Sequence, residues 1–383
     1  VNFELKPEQI MLRDMVRRFV ADKIIPQARA WDKAETFPKD VMRELGAMGL
    51  LGIAVPTSLG GAGLGALETA LVVEELARGD GSVALTVASH NGLATGHINL
   101  AGTEAQKEAY VRPLALGHKL GAWALTEPNS GSDAARMATT ATRDGSGWRL
   151  NGAKIFITQG TVGDIFVVLA ATDRSLGTKG ITAFIVERDA PGFGQSPLKD
   201  KMGMRGSDTA VLSFDNVYVD DAQRLGALHA GFKDTLKILD RGRITIAALS
   251  VGLGRGALEE SRRYSLQREQ FGRPIADFQA IQWKLADMAT ELDAARLLTW
   301  RAAWSCDTGR PFGKEASIAK LFASESGLRA ADEAVQIHGG YGYTAEFPVE
   351  RYLRDAKLCT IGEGTSEVQR LVIARAILKD LGL

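Results

Sequence analysis

Trp148-Arg149-Leu150-Asn151-Gly152-Ala153-Lys154-Ile155-Phe156-Ile157-Thr158 is the stretch whose reading decides the fold. It sets aromatic and β-branched residues on either side of Asn151-Gly152, a pair that predicts a tight hairpin between two strands. Further strands are expected over 165–169, 181–186 and 211–219, which are rich in Val, Ile and Phe. Asp144-Gly145 and Ala190-Pro191-Gly192 punctuate them. Outward in both directions the period changes. From Pro7 to about Leu120 apolar residues recur at helical spacing, as in Ile10, Met11, Met15, Phe19 and again in Leu71, Val72, Leu76. Beyond Gly226 the helical period returns over 232–267, 276–306 and 314–337. Phe271-Gly272-Arg273-Pro274, Gly309-Arg310-Pro311 and Gly339-Gly340 interrupt it. Helices, then strands, then helices define an α+β class with three units, 1–120, 121–225 and 226–383, rather than alternating α/β units.

The 383 residues carry 46 Lys plus Arg and 46 Asp plus Glu, a formal net charge of zero. That balance argues against nucleic acid as a partner, which calls for a basic surface. Cys306 and Cys359 form no metal or redox spacing, and His90 and His97 lack a third ligand, so no metal is expected. No apolar run approaches the roughly 18 residues of a membrane helix, so no membrane insertion is expected. The segments 50–55 and 165–171 read as buried strand or helix pieces. Glu4, Glu8 and Asp14 fit neither a secretory nor an organellar targeting peptide. The expected location is cytoplasmic, or the mitochondrial matrix if a transit peptide has been removed.

Five clusters carry candidate chemistry, and one resembling a motif does not. Gly61-Ala62-Gly63-Leu64-Gly65-Ala66 loosely matches a dinucleotide fingerprint with Asp80 downstream, but no strand leads into it and no βαβ unit follows. The first cluster, Trp123 to Asp133 (Trp-Ala-Leu-Thr-Glu-Pro-Asn-Ser-Gly-Ser-Asp), offers hydroxyls and backbone donors that suit an anionic or ring ligand. The second is the Lys154-Ile155-Phe156-Ile157-Thr158 run itself. Arg268-Glu269-Gln270-Phe271-Gly272 puts a permanent cation at a helix end beside an aromatic ring. Gln336-Ile337-His338-Gly339-Gly340 removes side chains where a flat ligand or pyrophosphate could approach the backbone. In Gly362-Glu363-Gly364-Thr365-Ser366-Glu367-Val368-Gln369, Ser366 and Gln369 form a capping box, whereas Glu363 between two glycines has no capping role.

In this order the five clusters resemble the acyl-CoA dehydrogenases, FAD enzymes that convert acyl-CoA thioesters to trans-2-enoyl-CoA; the resemblance spans nearly the whole chain and is nearest to short-chain (butyryl-CoA) members. It implies an N-terminal helical domain, a middle β-barrel-like domain and a C-terminal four-helix bundle. It also implies that Trp123, Leu125, Thr126, Ser132, Phe156 and Thr158 line the flavin. Arg268, Phe271, Gln279, Gln336, Gly339 and Gly340 would hold the pyrophosphate and adenosine of FAD across a subunit boundary, and Thr365 and Glu367 would add contacts. Ser132, Asp240, Arg243 and Gly364 match substrate contacts, and the segment 85–91 borders the acyl pocket. Glu363 matches the base that removes the α-proton while the β-hydride goes to flavin N5. Some members carry their base on a helix just before an arginine; the matching position here is Gly242, before Arg243. Gly362 replaces a common tyrosine and Phe156 a common tryptophan. A homotetramer and an electron-transfer flavoprotein as electron acceptor follow from the same resemblance. A same-fold flavin monooxygenase or oxidase, and a non-catalytic flavoprotein scaffold, are the alternatives; an intact Glu363 argues against both.

Overall fold

The computed structural model describes residues 3–380. Eight helices come first: α1 Pro7–Phe19, α2 Ile25–Ala34, α3 Lys39–Ala47, α4 Ala66–Gly79, α5 Gly81–Ser89, α6 Gly96–Ala101, α7 Glu104–Gln106 and α8 Arg112–Ala115. The segment 50–55, expected as strand or helix, is instead a buried run of turns. The Asn91 amide supplies the backbone partners that regular structure would have given: its Oδ1 accepts from Ile53 N–H at 3.0 Å and its Nδ2 donates to the Leu50 carbonyl at 3.0 Å. After the Gly61–Gly65 motif the first amides of α4 already have an anionic partner: the Asp307 carboxylate accepts from Ala66 at 2.6 Å and Leu67 at 3.0 Å. Asp80 is simply the N-cap of α5.

Eight strands form one sheet: β1 Gly121–Ala124, β2 Thr140–Asp144, β3 Gly147–Thr158, β4 Ile165–Ala171, β5 Ile181–Glu187, β6 Phe193–Pro197, β7 Thr209–Asp220 and β8 Arg224–Leu225. The order is β6-β7-β3-β2-β4-β5-β8, with β1 parallel to β4. Alternation along β4 sends Phe166, Val168 and Ala170 into a core enclosed by the sheet, with Trp148, Phe184 and Phe214. It sends Ile165, Val167 and Leu169 toward the helices. A sheet wrapped about its own core matches the barrel-like expectation.

The Asn151-Gly152 hairpin is not there. Residues 147–158 form one continuous strand, and the turn lies earlier, where Asp144 pairs with Gly147. Asn151-Gly152 marks a register shift between β3 and β7, held by Asn216 N–H donating to Asn151 Oδ1 at 2.9 Å. Long strand partners on both sides overrode a local turn preference.

The remaining helices are α9 Gly231–Gln267, α10 Gln279–Asp307, α11 Gly313–His338, α12 Val349–Cys359 and α13 Ser366–Asp380. The hairpin β9 Glu269–Gln270 and β10 Arg273–Pro274 joins α9 to α10. These boundaries match the expected helical stretches closely. α9 lies at the centre and is buried almost continuously from Gly242 to Ala257, because α4, α10, α11 and α12 all pack on it. Gly252 lets α4 approach; a Cβ there would stand 2.3 Å from the Glu74 carbonyl oxygen. Helices from both ends of the chain share one apolar core. A buried charge network staples them: Glu74 accepts from Arg255 at 2.6 Å and Arg296 at 2.8 Å, and Glu75 from Arg255 at 2.9 Å and Arg17 at 2.8 Å. Among the described residues no helix is long and apolar enough to cross a membrane.

Candidate active site

Glu363 stands in the turn between α12 and α13 with a left-handed backbone, φ 53°, and Gly364 follows at φ 93°. A non-glycine residue held there is strained, and such strain persists where surrounding contacts over-determine it. Those contacts are visible. Gln369 Nε2 donates to the carbonyls of Glu363 at 3.3 Å and Gly364 at 2.9 Å, and Lys320 Nζ donates to the Gly364 carbonyl at 2.7 Å. The expected Ser366–Gln369 capping box therefore does not form. Thr365 is the N-cap, accepting from Val368 N–H at 3.3 Å, while Gln369 is diverted to hold the turn. The Ser366 hydroxyl is buried without a partner.

The Glu363 residue is half-buried, but its Oε2 is shut off from solvent and has no partner. Burial pushes the carboxyl up to about 7, against the opposing pull of Lys320 and then Arg243. An acid near neutral pH is suited to proton transfer. Gly242 provides the room: it lies against this carboxylate on α9, with no side chain of its own. One residue on, Arg243 is buried and donates through Nη1 to Asp240 Oδ1 at 2.6 Å and to Ser317 Oγ at 3.2 Å, leaving its Nε without a partner. Glu363, Gly364, Asp240 and Arg243, all singled out in the sequence, thus meet at one place.

The β-side candidates form a second group. Ile155 N–H donates to the Thr126 carbonyl at 2.9 Å, joining the Trp123–Asp133 segment to β3. Beneath this junction Lys154, with no exposed surface, donates to Glu127 Oε1 at 2.8 Å and to the Leu125 carbonyl at 3.0 Å. Glu127 also accepts from the amides of Ala138 and Thr139. Burial opposes ionisation of Glu127, but Lys154 and these donors outweigh it and hold the carboxyl below its ordinary range. A second shift in register between Lys154 and Ile157 carries Phe156 to φ 60° and leaves its ring exposed, between half-buried Thr126 and Thr158. Ser132 is exposed in the loop. Trp123 is fixed from behind: its Nε1 donates to Nδ1 of His97 at 3.1 Å, and burial holds His97 down at about 4, so the ring is neutral. Neither His97 nor His90, whose Nδ1 accepts from Gly121 N–H at 3.2 Å, is free for other ligation through that nitrogen. Trp123 and Leu125 pack in one apolar cluster with Ile238 and Leu239 of α9, just before Asp240. The two groups therefore adjoin.

The third group is elsewhere. Arg268 ends α9, 26 residues past Gly242, or about 39 Å along the helix at 1.5 Å per residue. It shares an open cleft of ≈ 560 Å³ with Tyr264, His338, Gly339, Gly340 and Tyr341. Its aromatic partner is Tyr341, 5.8 Å away, not the adjacent Phe271. Phe271 and Gly272 make the two-residue turn of the β9–β10 hairpin, both at positive φ, and the Phe271 ring is 94% exposed. Gly339, at φ 59°, closes α11, and a Cβ at Gly339 or Gly340 would meet only open space. Gln336 and Gln279 are exposed. A single chain does not bring this group to Glu363. Thr365 is half-buried and Glu367 exposed beside the turn. Lys320 and these roles of Gln369 and His97 lie outside the sequence expectations; the available signal for Lys320 was a lysine at helical spacing from Ala316 and Ala323, on the face that α11 buries.

Three units with a shielded carboxylate where helices and sheet adjoin define a helical–β–helical enzyme. Models of the acyl-CoA dehydrogenase N-terminal, middle and C-terminal domains match residues 6–118, 122–217 and 229–378. The chain belongs to the acyl-CoA dehydrogenase family. It is 48% identical to the probable acyl-CoA dehydrogenase YngJ of Bacillus subtilis over 99% of this chain and 100% of that one. To the short-chain-specific acyl-CoA dehydrogenase of Clostridium acetobutylicum it is 42% identical, over 99% and 100%. The structure of butyryl-CoA dehydrogenase from Megasphaera elsdenii superposes with a TM-score of 0.97 at 43% identity, covering 99% of this chain and 100% of that chain.

Proposed function

We propose that this chain oxidises short acyl-CoA thioesters to trans-2-enoyl-CoA, with Glu363 as the base that takes the α-proton. The carrying observation is the Glu363 carboxylate: partnerless at Oε2, shielded from water, raised by burial to about 7 and admitted by Gly242. The Glu363 N–H makes no hydrogen bond within the described residues, which leaves it a donor for the thioester oxygen as negative charge develops there. Half-buried Asp240 and exposed Ser132 would meet the substrate, Arg243 keeping Asp240 in place.

FAD is the cofactor, and the residues present fit it. Phe156, Thr126 and Thr158 form a surface beside Trp123 on which a ring can lie, and the side-chain-free Gly339-Gly340 cleft with Arg268 suits a pyrophosphate. FAD, when bound, supplies the acceptor for the β-hydride. Because Arg268, Phe271, Gln279, Gln336, Gly339 and Gly340 lie far from Glu363 in one chain, they serve the FAD of a neighbouring subunit in a homotetramer. The exposed Phe271 and Tyr343 rings, 94% and 88%, suit burial in that assembly. Electron-transfer flavoprotein would take the electrons onward.

Anaerobic mixing with acyl-CoAs of graded chain length tests the reading. Flavin bleaching is expected, fastest with a short chain such as butyryl-CoA. Absence of bleaching with every acyl-CoA would favour the scaffold reading, and rapid oxygen consumption in a parallel aerobic assay the oxidase reading.

A further inference from the structure

Lys320 has no exposed surface, yet no carboxylate pairs with it among the described residues. It sits in the middle of α11 among Ala316, Ser317, Ala319 and Ala323, all buried. Its Nζ donates to the Gly364 carbonyl, the residue after the base. A buried ammonium without a counter-ion is costly and is retained where it does something specific. The charged and titratable groups facing Glu363 and Lys320 are few: Arg243 and Asp240 from α9, Cys359 from α12 and Glu367 from α13. Arg243 is largely neutralised by Asp240 at 2.6 Å. Cys359 is buried, and burial raises its thiol to about 11, so it stays protonated. Glu367 is exposed and screened by water. Of the two cations that act on Glu363, Lys320 has the larger pull and Arg243 is the one already paired with a carboxylate. Burial brings the ammonium down to about 8, so it remains mostly charged at neutral pH.

Building on Glu363 as the base, we infer that Lys320 is its positioning residue: the Lys320 ammonium clamps the Gly364 carbonyl, keeping the left-handed Glu363-Gly364 turn, and supplies the positive charge that keeps the Glu363 carboxylate ionised in a dry site. The clamp alone would be replaceable, since Gln369 holds the same carbonyl at 2.9 Å. The charge would not be.

The test is Lys320→Met, which keeps the length of the side chain and removes both charge and donor, alongside Lys320→Gln, which keeps a donor but no charge. In holoenzyme, the rate of flavin reduction by butyryl-CoA is followed against pH, and the Glu363 carboxyl is titrated by infrared difference against Glu363→Gln. Removing an opposite charge favours the protonated acid, so the acid limb and the infrared titration should both move to higher pH, by about one unit, in both variants. A role confined to packing would lower the rate or the stability and leave both titrations where they were; that result overturns the inference, and Lys320→Gln alone decides if Lys320→Met does not fold. Failure of the underlying reading looks different: Glu363→Gln would then reduce its flavin as fast as the parent.

Discussion

A Cβ on Gly242 would stand 1.8 Å from Glu363 Oε2, so the absence of a side chain on α9 and the presence of a carboxylate in the α12–α13 turn are one arrangement. The carboxylate fills the space that position 242 leaves empty.

Gly242→Ala should therefore displace the base without removing it. A misplacement on the order of 1 Å costs ~10²-fold in rate. Rapid-mixing measurement of flavin reduction should show that loss with FAD content unchanged. An unchanged rate would mean that the carboxylate has room elsewhere.

Glu363→Gln keeps shape and removes basicity. General-base catalysis contributes ~10²–10⁴-fold, and attack on a C–H places the loss near the upper end. Four decades equal about 5.4 kcal/mol. In the parent, the base must be ionised, so flavin reduction should fall as pH drops below about 7, the value to which burial raises Glu363. Retained bleaching in the variant would move the search to another carboxylate.

The same group makes a stability prediction of definite sign. Its folded value lies above the ordinary 4.5, so its favourable contribution is full below pH 4.5 and is lost as pH rises through about 7. Chemical denaturation should find Glu363→Gln more stable than the parent at pH 8, by up to about 3 kcal/mol, with the gap closing toward pH 5. Parallel pH curves for the two proteins would contradict the burial of this carboxylate.

Lys154→Met leaves Glu127 ionised and buried against the Ala138 and Thr139 amides. Breaking a buried pair by removing one partner costs roughly 3–5 kcal/mol. Because Lys154 also holds the Leu125 carbonyl, denaturant titration should show that loss together with weaker FAD retention. Loss of neither would mean that the junction of Thr126 with β3 stands without the ion pair.

Arg268→Ala should weaken FAD binding and assembly together, since the residue lies about 39 Å along α9 from its own Gly242. Loss of a charge-assisted contact corresponds to ~1.5–3 kcal/mol. Titration of apoprotein with FAD and a sedimentation measurement check both halves; unchanged affinity counts against the assignment.

Helix-period patterns determined α9, α10 and α11 nearly to their ends, because a long amphipathic or buried helix writes its period into every turn of sequence. Short motifs likewise marked Glu363, Phe156 and Phe271, and the structure finds all three in left-handed backbone, where glycine is the usual occupant. What local sequence could not carry was decided by partners distant in the chain. Asn151-Gly152 became a bulge because β7 runs alongside it, and Gln369 left the helix cap to hold the Glu363 turn. Lys320 reads as an ordinary helix lysine until α12, α13 and their turn close over it. Sequence by itself determined the family and most of the helical and strand segments, since both are written in local residue type and spacing. Only the tertiary structure decided the state of the Glu363 carboxylate, because desolvation and a neighbouring charge depend on what is near in space and not on what is near in the chain.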